Sequence, residues 1–164
     1  MLPTARNAQM FDTFNGLPIH PLVVHAIVVL LPLAMIGTLL IVIRPSWRTR
    51  YGPLVVAAAL VSTVLMPVAT SSGEELESHV GAPGEHAELG EQLLWFALAL
   101  LITSAVFVGL EFRRARAATP NPPKLITVWA ALAVVAALAC TWQVYRVGDS
   151  GAKAAWGDRV SAGQ

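Results

Sequence analysis

Cysteine and charged residues are both scarce in this sequence, and each scarcity excludes a class of protein. Cys140 is the only cysteine, so the chain carries neither an internal disulfide nor a CxxC metal or redox motif. Asp, Glu, Lys and Arg together make up 13% of the residues, against roughly a quarter in an average soluble protein. No lysine–arginine cluster alternates with aromatic residues as a nucleic-acid groove requires. We therefore expect a membrane protein that has no nucleic-acid partner.

Signatures of catalysis are also missing. There is no HExxH zinc motif, no glycine-rich phosphate loop, and no serine or cysteine nucleophile in a recognisable context. The polar segment 1–15 precedes an apolar run that is longer than the roughly 7–15 residues of a signal-peptide core, and no A-x-A cleavage site follows it. We therefore expect no clear enzyme site, and we expect the first apolar run to be retained.

Apolar residues are abundant instead, at 55% of the chain, and they collect in four long runs. Each run is close to the ~20 residues that an α-helix needs to cross a hydrocarbon core about 30 Å thick. The runs do not alternate polar and apolar residues as barrel strands do, so helices are expected to satisfy the backbone in lipid. We predict an all-α fold, a polytopic membrane protein with a four-transmembrane-helix bundle. The expected single domain, 1–164, has its spans at approximately 20–43, 53–70, 87–111 and 125–146.

The connections between the runs differ in charge on the two sides of the membrane. Lysine and arginine concentrate in cytoplasmic loops, and the loops after the first and third spans contain Arg44, Arg48, Arg50, Arg113, Arg114, Arg116 and Lys124. The loop at 71–88 contains glutamates and neither lysine nor arginine. We therefore place both termini, this acidic loop and a C-terminal tail at 147–164 on the outer face of the plasma membrane.

Two segments allow further interpretations. The second apolar run is the shortest, and a re-entrant segment is the alternative for it. Within the acidic loop, Ser71 or Ser72 followed three residues later by glutamate is the pattern of a capping box. This pattern predicts a short separate helix there.

The four histidines, His20, His25, His79 and His86, all fall on the outer side of this topology. An imidazole in or at the edge of a span is costly without a partner, so it marks a functional site by default. Neutral imidazole is the most common metal ligand and also binds haem iron. We expect His25 and His86 to face each other from the first and third spans as the ligands of a haem b. All four histidines are candidate ligands of a transition metal.

Each histidine also has a simpler interpretation. His79 would face solvent or pair with Glu75, four residues before it, and His20 would satisfy the backbone where the first helix begins. Glu88 belongs to a first helical turn in which acidic side chains favour the helix dipole. Alternatively, Glu75 or Glu88 accepts a hydrogen bond from a ligand histidine and orients it.

A weak two-fold pattern runs through the chain. The first and third spans each follow a histidine near their outer end, and each is followed by a basic loop that contains prolines. Few residues are identical between the halves. An internal repeat is therefore one hypothesis for the organisation of the chain.

Several segments are similar to a bacterial membrane family, the domain of unknown function 2231. They are GLPIHPLVVHAIVVLLP, RYGPLVV, PVAT followed closely by SGEELE, HAELGEQLL and VGDSGAKAAW. The resemblance covers nearly the whole chain and implies a four-helix membrane domain in a bacterium. Some relatives are joined to Rieske-type or cytochrome c-type domains, which implies redox work. Many relatives have GHSGAK, with histidine where this chain has Asp149, and an aspartate there suits a hard metal or a proton better than haem iron.

Three hypotheses for function follow. The first is a haem b or metal-binding membrane protein that transfers electrons beside respiratory or other redox partners, with Asp149 among the groups near the ligands. The second is a non-catalytic accessory subunit that packs its small-residue faces against a larger membrane complex. The third is an outward-facing transition-metal site without haem.

Overall fold

A computed structural model describes the backbone of residues 13–14, 17–80, 84–117 and 123–161, and the side chains within 20–73, 84–117 and 124–153. Two short strands, β1 (Thr13–Phe14) and β2 (Leu17–Pro18), pair antiparallel just before the first helix. The helices that follow are α1 (Ile19–Ile43), α2 (Pro45–Val80), α3 (Glu85–Arg116) and α4 (Pro123–Ser161).

Each of these helices is long and apolar enough to cross a membrane. The segments that meet this condition are His20–Ile43, Pro45–Gly73, Glu85–Arg116 and Lys124–Lys153. Large apolar side chains cover the outside of the bundle, and Val28, Val29 and Leu54 are more than half exposed. Lipid is the environment in which such a surface is stable. The predicted all-α, four-helix membrane fold is confirmed.

The second and fourth helices are longer than the predicted spans. In α2 the hydroxyl of Ser71 donates to Pro67 O over 2.9 Å, and that of Ser72 donates to Val68 O over 2.8 Å. A serine inside a helix can bond back to the carbonyl four residues earlier, and both bonds follow this pattern within one continuous helix. The prediction that Ser71 or Ser72 caps a separate helix is therefore wrong, and α2 continues to Val80. Likewise, α4 continues through most of the expected tail, to Ser161.

The helices pack as two hairpins, α1–α2 and α3–α4, which contact each other mainly through α2 with α3 and α1 with α4. Small side chains fill the centre of the bundle and are fully buried: Ala34, Thr38, Ala59, Ser62, Ala97, Ser104, Ala133, Ala137 and Cys140. Small residues let membrane helices approach closely, so that backbone packing replaces large side chains. At Gly37, for example, a Cβ atom would lie 2.6 Å from Val55 Cγ2 of α2.

The two ends of the bundle have different chemistry. One end, which we call the arginine end, contains Arg48 of α2 and Glu111 of α3, whose Nη1 and Oε1 atoms are 2.7 Å apart. The opposite end, which we call the histidine end, contains His20 and His86. His20 lies in the first turn of α1 beside Pro21, a residue suited to that turn. Gly84, with φ +52°, leads the chain into α3 just before His86.

Candidate functional site at the histidine end

His20 is held by the C-terminal part of α2. Its Nδ1 lies 3.0 Å from Ala69 O and 3.1 Å from Ser72 Oγ. The Ser72 hydroxyl proton is directed to carbonyls of its own helix, Val68 O at 2.8 Å and Ala69 O at 3.1 Å, so its oxygen can accept. A carbonyl only accepts, and therefore Nδ1 carries the proton and donates. In the neutral ring this assigns the free lone pair to Nε2.

His86 is held by α4 in the same way. Its Nδ1 lies 3.1 Å from Val147 O and 3.1 Å from Ser150 Oγ. The Ser150 hydroxyl donates to Val147 O over 3.0 Å. The same reasoning places the proton of His86 on Nδ1 and the lone pair on Nε2. Nε2 of neither ring receives a hydrogen bond from the residues that the structure describes.

A glycine follows each serine and makes room for the imidazole. A Cβ atom on Gly73 would lie 3.1 Å from His20 Cε1, and one on Gly151 would lie 2.9 Å from His86 Cε1. The rings therefore pack on bare helix backbone. We call each set of histidine, main-chain carbonyl, serine and glycine a histidine clamp; the first is His20, Ala69, Ser72 and Gly73, and the second is His86, Val147, Ser150 and Gly151.

His25 has a different environment. It is exposed on α1, and its Nδ1 pairs with Pro21 O, one turn earlier on the same helix. His86, by contrast, is tied to α4. The two imidazoles thus have separate partners, and the expectation that they share a haem stays a prediction.

The four-histidine metal site also stays a prediction. The side chains of His79 and Glu75 lie outside the described residues. Among the side chains that are described, no three of His, Cys, Asp and Glu form a group that could hold a metal ion.

Two of the three carboxylates that we expected to orient the histidines are among the described side chains. Glu88 is exposed, and Asp149 forms an ion pair with Lys153, with Nζ and Oδ2 2.7 Å apart. The imidazoles of His20 and His86 contact main-chain carbonyls and serine hydroxyls, and the expectation that carboxylates orient the histidines stays a prediction. Asp149 lines a cleft beside the second clamp, together with Glu85, Leu89, Tyr145, Arg146, Ser150 and Lys153.

Sequence reasoning missed the serines and glycines of the clamps. One signal was available: the dipeptide Ser-Gly occurs twice in the chain, at Ser72-Gly73 and Ser150-Gly151. Each copy follows one of the two even-numbered spans. The main-chain carbonyl partners, in contrast, cannot be recognised in a sequence, because every residue has a carbonyl.

Gly151→Ala should disturb the second clamp and lower stability by about 1–3 kcal/mol, because the new methyl group overlaps the His86 ring. Gly148→Ala is the matched control: a Cβ atom there has nothing within 4 Å, and alanine favours the helix by up to about 1 kcal/mol. Thermal unfolding in detergent measures both variants. Equal melting temperatures for the two would contradict close packing at Gly151.

Comparison with known proteins connects this arrangement to a family. No curated protein and no solved structure matches the chain. One family profile, described as a predicted membrane protein, matches residues 16–164, a range that includes both histidine clamps. This match covers most of the chain and agrees with the resemblance seen in its motifs. The chain belongs to the DUF2231 family of membrane proteins.

Proposed function

We propose that this protein binds haem b at the histidine end and transfers electrons at the outer face of the bacterial plasma membrane. The observation that supports this most strongly is the Nδ1–H hydrogen bond of His86 to Val147 O. Histidines that bind metals usually donate their other ring N–H to a carbonyl or carboxylate, which sets the tautomer and makes the ligating nitrogen more basic. His86 is already arranged in this way.

The donor set fits haem better than a bare metal ion. Haem brings four nitrogen ligands of its own and needs one or two axial imidazoles from the protein. A structural or catalytic zinc ion needs three or four protein ligands. Each histidine clamp offers a single imidazole, and the two clamps lie on separate hairpins. One or two imidazoles are the number that haem requires. When bound, the iron would supply one-electron chemistry, and the chain would hold and orient it.

His86 would be the first residue to hold the haem iron. His25, its expected partner, and His20, which has the same hydrogen bonds as His86, are the candidates for the second. His20 is half-buried against α2, whereas His25 is exposed. We favour His20, because its ring is already ordered and less conformational entropy is lost on binding.

The distribution of basic residues supports the proposed location of the histidine end at the outer face of the membrane. Arginines concentrate at the end of the bundle opposite the clamps, and arginine-rich loops face the cytoplasm. The histidine end would then face outward, where it could exchange electrons with membrane redox proteins of the kind that the family resemblance implies. Such electron transfer needs a redox partner that docks at the histidine end.

A reduced-minus-oxidised visible spectrum of protein purified from its own membranes tests the proposal. We expect b-type bands in the unaltered protein and their loss in His86→Ala, because the imidazole that would hold the haem is removed. Lys153→Ala serves as the control, since Lys153 is an exposed residue on α4 near the same end, and its ion-pair partner is Asp149. Elution at the unaltered volume on size exclusion shows that each variant is folded.

Metal analysis of the same sample separates the alternatives. A featureless spectrum together with bound metal would overturn haem binding and favour a transition-metal site. A featureless spectrum with no metal would overturn both and favour the accessory-subunit hypothesis. Retention of full b-type bands by folded His86→Ala would exclude His86 as a ligand.

A further inference from the structure

We infer that the chain is a tandem repeat of one two-helix hairpin, and that each hairpin carries its own ligand-binding imidazole. His20 and His86 are then equivalent metal-centre ligands, and Ser72 and Ser150 are their positioning residues. The ligand class, haem iron or a first-row metal ion, rests on the proposed function. The equivalence of the two sites does not, because it comes from packing and hydrogen bonds.

The first helices of the two hairpins match in burial. When His20 is placed on His86, buried positions of α1 coincide with buried positions of α3. The pairs are Ile27 with Leu93, Leu31 with Ala97, Ala34 with Leu100, Thr38 with Ser104, and Ile41 with Phe107. One pair, Thr38 with Ser104, consists of two fully buried hydroxyl residues in the middle of a span. The same face of each helix therefore packs into the bundle at the same depth.

The second helices match as well when Ser72 is placed on Ser150. The coinciding buried pairs are Val55 with Ala133, Ala59 with Ala137, and Ser62 with Cys140. Thr63 donates to Ala59 O over 2.8 Å, and its counterpart Thr141 donates to Ala137 O over 2.8 Å. The second hairpin is longer for two reasons: α3 continues past Gly109, the counterpart of Ile43, to Arg116, and the connection from α3 to α4 is longer than the single residue Arg44 between α1 and α2.

The histidine clamps are the functional part of this repeat. In both, Nδ1 contacts a carbonyl and a serine oxygen at 3.0–3.1 Å, and a glycine carries the ring. The carbonyl, serine and glycine have the same spacing in both copies. The two Ser-Gly dipeptides of the chain both lie in clamps. The same four-part arrangement at matching positions indicates a duplicated site rather than two unrelated helix contacts.

The direction of the helices places both copies at one end. In this repeat α1 corresponds to α3 and α2 to α4, and corresponding helices run in the same direction. Parallel repeats of this type are related by an axis along the membrane normal. Both imidazoles therefore open to the same side of the membrane. His25 has Glu91 as its counterpart, so it is not part of the repeated site.

The copies differ in their surroundings. The cleft beside His86 includes Tyr145, Arg146 and Asp149. The residues at the corresponding positions of α2 are Pro67, Val68 and Ser71, which carry no charge. Both clamps thus present a histidine, and at these three positions the surroundings of His86 are more polar than those of His20.

¹⁵N NMR of histidine-labelled protein without added cofactor tests the duplication. We expect the neutral rings of His20 and His86 to be Nδ1–H tautomers. Ser72→Ala should shift the ring signals of His20 alone, and Ser150→Ala those of His86 alone, in the same direction. Ser71→Ala is the matched control, since the Ser71 hydroxyl bonds Pro67 O and not an imidazole. Nε2–H tautomers, or a serine variant that leaves its histidine unshifted, would overturn the inference.

Cu²⁺ then probes whether both lone pairs are available, because imidazole binds copper well and the ion is paramagnetic. We expect the Nε2 signals of His20 and His86 to broaden together. Broadening of only one would overturn the equivalence of the sites. These results are independent of haem. The expected tautomers and shifts together with a featureless visible spectrum would reject the proposed function and keep the repeat. Haem b bands without the expected tautomers and shifts would reject the repeat alone.

Discussion

Replacing Glu111 with alanine should lower the free energy of unfolding by about 3–5 kcal/mol, because the Arg48 guanidinium would stay largely buried without its counter-charge. The two side chains are only 17% and 10% exposed, and the ion pair is 2.7 Å long. An exposed ion pair contributes only about 0–1 kcal/mol, so breaking it costs far less than removing one partner of a buried pair. This ion pair joins the two hairpins at the arginine end.

Arg48 does more than balance Glu111. Its Nε donates to Ile41 O over 3.1 Å, and its Nη2 donates to Val42 O over 2.9 Å. Both carbonyls belong to the last turn of α1. A helix leaves its final carbonyls without partners inside the helix, and a basic side chain satisfies them. The guanidinium also lies 5.3 Å from the centroid of the Phe107 ring. One side chain of α2 therefore connects α1 and α3.

Unfolding of the purified protein in mild detergent, by steric trapping or by heat, measures the effect of Glu111→Ala. Glu91→Ala is the control, because Glu91 is an exposed carboxylate on the same helix. The double variant Arg48→Met with Glu111→Leu should recover much of the loss, since apolar residues of similar size often replace a buried pair without cost. A loss in Glu111→Ala no greater than that in Glu91→Ala would show that the pair contributes nothing.

Gly37→Val should be the second most damaging change, with a loss of about 1–3 kcal/mol from overpacking between α1 and α2. Even a Cβ atom at Gly37 would lie 2.6 Å from Val55 Cγ2, well inside van der Waals contact. The helices must move apart or the valine must leave its rotamer, and both responses strain the small-residue core. Gly109→Val should have little effect, because a Cβ atom at Gly109 has nothing within 4 Å.

A double-mutant cycle identifies the cause. Val55→Ala removes the methyl groups that the new side chain would meet, so Gly37→Val should cost much less in that background. Residues in contact commonly show coupling energies of 0.5–3 kcal/mol, on the order of the loss expected here. Additive losses from the two substitutions would mean that Gly37 matters for a reason other than its contact with Val55.

The histidines show how far a sequence goes toward a site. Their position in or near the apolar runs made all four histidines candidates, with His25 and His86 expected as the pair, and the expected orienting groups were carboxylates. The structure gives both rings the same two neighbours, a carbonyl and a serine on the next helix. His20 and Ala69 are 49 residues apart, and any residue has a carbonyl, so no pattern of side chains predicts that bond.

Arg48 shows a similar limit. From the sequence it counts as one of several basic residues that orient the protein in the membrane. In the structure it is a buried connection to Glu111, 63 residues away. A loop charge that only sets topology and one that also joins helices look the same in the sequence, because the difference depends on which side chain of another helix lies nearby.

By itself, the sequence determined the four membrane-spanning helices, the family and the location of the histidines at the ends of spans. These are local properties, since the length of an apolar run and the cost of a charge in lipid depend only on neighbouring residues. Only the tertiary structure decided which carbonyl each imidazole contacts and that the two contacts are copies of one another. Such partners are set by how helices pack across the bundle, where fully buried small residues bring distant parts of the chain together.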